Sequence, residues 1–103
     1  MKIIEKLSEM IECEIEDAEK YAKCALKYKS ENSMLAELFY SLSLDETQHQ
    51  NKLHKAVVEL INEYRSNNGE PPANMLAVYE YLHDKQIEEA AEVKNLQMMY
   101  RES

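Results

Sequence analysis

The sequence predicts an all-α fold: a long antiparallel helical hairpin followed by a third helix, in one domain covering residues 1–103. Three observations lead there. The 103 residues include one Gly, two Pro and no Trp, and the chain is rich in Ala, Glu, Lys and Leu, so strong helix formers dominate and helix breakers are scarce. Apolar residues recur at three- and four-residue steps along three stretches, the period of an amphipathic helix. Between those stretches lie two short segments, around Ser30 and around Gly69-Glu70-Pro71-Pro72, with the residues that end and restart helices.

The first helix is expected over about 3–28, with Ile3, Ile4, Leu7, Met10, Ile11, Ala18, Tyr21, Ala22, Ala25 and Tyr28 on one side. Ser30-Glu31-Asn32-Ser33 closes it, and Asn32 or Ser33 supplies the N-cap of the next helix. That second helix is expected over about 34–65, with Leu35, Leu38, Phe39, Leu42, Leu53, Ala56, Val57 and Leu60 forming its stripe. Ser66-Asn67-Asn68-Gly69 ends it, because Gly or Asn takes the left-handed cap at little cost. Pro71 and Pro72 force an extended bend, and Pro72 fits the first turn of a third helix over about 73–101. Its stripe runs Leu76, Tyr79, His83, Gln86, Ala90, Val93, Gln97 and Tyr100, the most polar of the three. Short loops make successive helices antiparallel neighbours. The third then folds back along the second or reaches to another subunit; the sequence does not choose between these.

Charge and cysteines bound the partners and the compartment. A formal net charge of −8, from 20 acidic and 12 basic residues, speaks against nucleic acid or an anionic membrane face and suits cations. Cys13 and Cys24, eleven residues apart on one helix, lie roughly 16 Å apart along its axis. That is too far for a bridge within the chain. They also lack the CxxC spacing of zinc and redox sites. Two unbridged thiols fit a reducing, cytoplasmic setting, and the acidic start shows neither a signal peptide nor a membrane span.

Three ionisable residues interrupt the apolar stripes. Glu14 points between Leu7, Ile11, Ala18 and Tyr21, while Glu16 and Glu19 point outward. On the second helix, Glu46-Thr47-Gln48-His49 places a carboxylate and an imidazole three residues apart in mid-stripe, the spacing at which two side chains can hold one ion. With the hairpin turning near Ser30, Glu14 lies sixteen residues before the turn and Glu46 sixteen after it, so the two carboxylates are expected at one height, facing each other. Charges facing a core are costly unless paired. No inward Lys or Arg opposes these three, and a cation is the simpler way to neutralise them.

Glu14-x6-Tyr21 followed by Glu46-x2-His49 resembles the first half of the ferritin-like di-iron carboxylate proteins, the ferritins, bacterioferritins and rubrerythrins, over residues 3–64. The resemblance implies a four-helix bundle in which Glu14 is a terminal carboxylate, Glu46 a bridge, His49 the nitrogen ligand and Tyr21 a neighbour of the site. Such a site would hold iron, with manganese or zinc as alternatives. Its chemistry would be oxidation of Fe(II) by oxygen or peroxide, a ferroxidase activity. The family's usual chain brings a second Glu and a second ExxH on two further helices, and only one further helix follows here. That helix does contain Glu80-Tyr81-Leu82-His83, but with the second turn near Glu70 the level of Glu46 falls around Lys94. Glu80 is then about 20 Å away along the axis. His83 is read as a core or interface histidine with ligand as the lesser role, and Glu80 as a flanking residue.

Two copies of the hairpin related by a two-fold axis would supply four Glu and two His, the full di-iron set. This half-bundle resembles the encapsulated ferritin-like proteins, whose short chains build one centre at their interface. Those carry a C-terminal loading tag, which the ending Met98-Met99-Tyr100-Arg101-Glu102-Ser103 does not resemble. A homodimer or larger homo-oligomer is therefore expected. The competing reading is a helical interaction or adaptor module without metal, its inward acids satisfied by protein partners or water. His54 is expected off the stripe, facing solvent or an interface. Tyr21, Tyr28, Tyr64, Tyr79 and Tyr100 are expected to pack.

Overall fold

In the computed structural model, which describes residues 2–103, the chain forms three helices: α1 (Lys2–Tyr28), α2 (Ser33–Asn68) and α3 (Ala73–Glu102). α1 carries Glu5 in its first turn and Lys27 in its last, each complementing the helix dipole at its end. It stops at Tyr28, whose carbonyl accepts from the Glu31 N–H at 3.1 Å and the Asn32 N–H at 2.8 Å. Of the two expected caps, Asn32 takes the role. Its backbone is extended, and its Oδ1 accepts from the Leu35 N–H at 3.1 Å, satisfying a donor that the first turn leaves orphaned.

α2 runs three residues beyond its expected end. Gly69 then turns with φ +78° and ψ −165°, a region essentially reserved for glycine, and its N–H reaches the Arg65 carbonyl at 3.1 Å. Pro72 sits one position earlier than expected, at the N-cap itself rather than within the first turn. Its carbonyl accepts from the N–H groups of Met75 and Leu76 at 3.0 and 3.1 Å, and its fixed φ sets the direction in which α3 leaves.

α3 folds back within the chain, and it packs chiefly on α1 rather than along α2. α1 is thus the central helix, and its buried residues show why: Ile4, Ile11, Ile15, Ala18, Ala22 and Ala25 are at most 2 % exposed. One apolar cluster joins Ile11, Ile15 and Ala18 to Val93, with Leu53 and Val57 against it; another joins Ala25, Ala36 and Tyr100, with Phe39 and Tyr40 against it. The small side chains of Ala18, Ala22, Ala25 and Ala36 let the helix axes approach closely. The expected polar stripe of α3 is real: Gln86, Val93, Gln97 and Tyr100 are its buried residues.

The polar members of that stripe are used as straps. Ser43, fully buried, donates from Oγ to the Ala18 carbonyl at 2.7 Å and accepts from Gln97 Nε2 at 2.9 Å; the same amide donates to Thr47 Oγ1 at 3.1 Å. Nearer the other end of α3, Gln86 donates to the Ser8 hydroxyl at 3.1 Å. Tyr100 stacks on Tyr40 with ring centres 4.7 Å apart and donates to Glu37 at 3.1 Å. Lys29 lies over the Tyr100 ring and donates to the Tyr100 carbonyl and to the carbonyl and hydroxyl of Ser103.

α3 covers only one flank of the α1–α2 hairpin. The shape is elongated, 55 × 19 × 18 Å with a radius of gyration of 16.5 Å, against about 13 Å for a compact domain of this length. The accessible surface of 7002 Å² exceeds the roughly 6,000 Å² of a compact monomer of 12.1 kDa by about 1,000 Å². Ile3, Met10 and Leu38, expected inward, are 49 %, 41 % and 52 % exposed. Along the 36 residues of α2 only Ala36 and Ser43 are fully buried. Its Leu35, Leu42, Leu53 and Leu60 remain half-exposed. No described helix is long and apolar enough to cross a membrane.

Candidate metal centre

Glu14 comes from the middle of α1, and Glu46 and His49 from successive turns of α2. The turn between them places them at one height because α1 and α2 leave it antiparallel with nearly equal arms. The three side chains meet. His49 Nδ1 lies 3.3 Å from Glu14 Oε2 and 3.7 Å from Glu46 Oε2. One donor atom from each residue falls within 4.8 Å of the other two. Among the described residues, this is the one group of three or more His, Cys, Asp or Glu side chains with that convergence.

Helical periodicity puts the group on the uncovered flank. Ile3, Leu7, Met10, Glu14 and Tyr21 share one side of α1, and Leu38, Leu42, Glu46, His49, Ala56 and Leu60 share the matching side of α2. α3 lies on the other side, against Ile11, Ile15 and Ser43. The two carboxylates are consequently the more enclosed members, 25 % and 18 % exposed, and His49 is the open one at 52 %.

The donor chemistry fits a transition-metal cation. Two carboxylate oxygens and one imidazole nitrogen suit iron, manganese or zinc. Ligand bonds of 2.0–2.2 Å place donor atoms about 3.0–3.4 Å apart around one ion, so separations of 3.3 and 3.7 Å need only small side-chain shifts. Three protein ligands leave coordination positions free. His49 Nδ1 is within hydrogen-bonding distance of Glu14 alone, with Glu46 at ion-pair distance.

The remaining candidates lie elsewhere. Tyr21, two turns beyond Glu14, stacks on Phe39 with ring centres 6.3 Å apart, and Phe39 also stacks on Tyr28 at 5.9 Å. Glu80 and His83 do not join the trio. His83 is exposed rather than inward, because α3 turns toward α1 and leaves it at the α2–α3 seam, where it stacks on His54 with ring centres 5.0 Å apart. His54, expected to face solvent or an interface, is half-buried by that contact. Burial, and secondarily His83, holds the His54 pKa below the usual imidazole value.

A separate acidic contact joins α1 to α3. Glu12 Oε1 is buried without a hydrogen bond, and Lys85 Nζ stands 3.8 Å from it and 3.7 Å from Glu89. Burial first, and then Glu12, push the Glu89 pKa above the ordinary carboxylate value. Glu12 carried no signal, since it lies off the apolar stripe of α1 and becomes enclosed only once α3 docks.

Cys13 and Cys24 are free thiols. Compared with known proteins, the chain matches no family model, no curated protein and no solved structure.

Proposed function

We propose that the protein is a ferritin-like iron-binding protein whose centre is completed by a second copy of the chain. The convergence of Glu14, Glu46 and His49 on the uncovered flank of the hairpin carries this reading. On a closed flank the trio would be a private charge cluster. On an open apolar one, a two-fold axis brings two trios together and yields four carboxylates and two imidazoles. The surplus surface of about 1,000 Å² is comparable to the roughly 800 Å² per partner of a standard interface. Iron would supply the one-electron chemistry, as the metal that is bound and then oxidised by oxygen or peroxide. The chain's own part is to hold it between α1 and α2 through Glu14, Glu46 and His49. Turnover as a ferroxidase is the further step in this proposal.

Metal content per chain tests the reading. Protein purified with Fe(II) present is assayed by elemental mass spectrometry beside Glu46→Ala, with size measured by light scattering. About one iron per chain on a dimer or larger species, lost in the variant, is the expected result. Absence of metal above background in the unaltered protein refutes it. The uncovered flank would then belong to a metal-free adaptor, with the two carboxylates satisfied by a protein partner or water.

A further inference from the structure

We propose that His54 and His83 form a second metal site, for an imidazole-preferring divalent cation such as Zn²⁺, that clamps α3 to α2. The site is independent of the Glu14, Glu46 and His49 trio and does not rest on the reading of that trio.

The polar ties between α2 and α3 lie toward one end, where Gln97 meets Ser43 and Thr47 and Tyr100 meets Glu37. Toward the other end the two helices diverge around a cavity of about 300 Å³, walled by Ile4, Ile11, Val57, Ile61, Leu76 and Leu82. A neighbouring cavity of about 340 Å³ shares His54, His83 and Gln86 with it. The two imidazoles therefore stand between the cavities, one from each helix, at the place where a crosslink would fix the seam.

Their spacing suits one shared ion. Ring centres lie 5.0 Å apart, and metal–nitrogen bonds of about 2.1 Å hold the centres of two ligating imidazoles roughly 5 Å apart. The rings are stacked with 19° between their planes, so their nitrogen lone pairs lie in nearly parallel planes and both rings must unstack to share an ion. Rotation about the side-chain torsions is what remains to turn a nitrogen of each ring to a common point. A neutral ring is the form that ligates. Glu80 lines the same cavity, one helical turn before His83, the Glu-x-x-His spacing already seen at Glu46 and His49. With no third side chain among the described residues converging on the pair, water would complete the coordination set. Arg65, also on the cavity, is engaged by Glu70 at 3.2 Å. A donor set led by two imidazoles favours zinc, copper or nickel over the carboxylate-rich preference of the other cluster.

The test uses Glu46→Ala protein, so that zinc uptake at the trio is suppressed. Zn²⁺ is titrated by calorimetry while the imidazole ¹⁵N resonances are followed. The expected result is one high-affinity Zn²⁺ per chain, perturbation of the His54 and His83 ring nitrogens, and a melting temperature raised by roughly 10 °C at hundredfold saturation. Adding the exposed-site change His83→Gln should weaken binding at least tenfold. Unmoved His54 and His83 resonances in the presence of Zn²⁺ would overturn the proposal. So would affinity that survives His83→Gln. Neither result touches the iron reading, which is measured at Glu46 in the unaltered chain.

Discussion

Ser43 offers a sharp test of how the three helices are held together. Its Oγ donates to the Ala18 carbonyl of α1 at 2.7 Å and accepts from Gln97 Nε2 of α3 at 2.9 Å, so one fully buried hydroxyl touches all three helices. Ser43→Ala removes both contacts, each with a net value of about 0.5–1.5 kcal/mol. Gln97 keeps its bond to Thr47 at 3.1 Å, so the amide is not stranded and the loss stays near 1–2 kcal/mol. In a domain of this length that lowers the melting temperature by about 4–16 °C. Gln97→Met alone removes the bonds to both Ser43 and Thr47 and costs about 1–2 kcal/mol. In the double variant both partners are apolar, so its stability should return to within about 1 kcal/mol of the parent. The two losses should thus couple by about 1 kcal/mol or more in a double-mutant cycle. Urea denaturation followed by circular dichroism, at one fixed chain concentration, measures all four corners. Additive losses, or a Ser43→Ala protein as stable as the parent, would refute the strap.

Three further outcomes follow from burial, backbone and charge. Ile15, 1 % exposed against Ile11, Ala18 and Val93, should lose about 2–5 kcal/mol on Ile15→Ala, read as a shift in the urea midpoint with little change in slope. Gly69→Ala meets no atom within 4 Å of the new Cβ, yet should cost about 1–3 kcal/mol because φ +78° and ψ −165° suit glycine almost alone; a loss below 0.5 kcal/mol by the same assay would contradict the backbone argument. Glu89 has its pKa raised in the folded chain, so folding favours its protonated form, and its contribution worsens as pH rises from about 4.5 through the folded value. Glu89→Gln should therefore gain stability at pH 7 relative to pH 4.5, by about 0.5 kcal/mol or less once the lost Lys85 contact is counted, in denaturation curves taken at both pH values.

The helices themselves were legible because their signals are local. Two break points, one cap asparagine and the three- to four-residue period fix α1, α2 and α3 to within three residues at each end. The meeting of Glu14 with Glu46 and His49 was legible for a related reason: counting residues from a tight turn is enough to align two antiparallel helices. What sequence periodicity did not resolve is which part of a broad apolar stripe is buried. On α1, Ile3 and Met10 look as inward as Ile4 and Ile11, and Ile15 fell outside the expected stripe, although it is among the most enclosed residues of the chain. α3 decides this by docking on the Ile11, Ile15 and Ala18 side. That choice depends on contacts between residues about eighty positions apart, such as Gln86 with Ser8. The same docking exposes His83, half-buries His54 and encloses Glu12, none of which carries a local signal.

Under the proposed function, the uncovered flank would link assembly to cation binding. Two half-exposed carboxylates sit in the middle of an otherwise apolar strip that includes Met10, Leu38 and Leu42. Pairing that strip with its copy would bury apolar surface, worth roughly 25 cal/mol per Å², but it would also bring four carboxylates into one poorly solvated place, where unpaired charge is costly. Two imidazoles offset at most half of that charge, and only when protonated. On these terms the protein without metal should associate weakly, whereas a divalent cation should favour the dimer and be held more tightly by it, since the two equilibria share one free energy. Replacing Glu14 and Glu46 with Gln would remove the repulsion together with the proposed metal ligands. Sedimentation of that variant therefore separates the two causes: a dimer that forms without cation would show that charge, rather than missing complementarity, keeps the apo chains apart, and a monomer would show that the flank is built for some other partner.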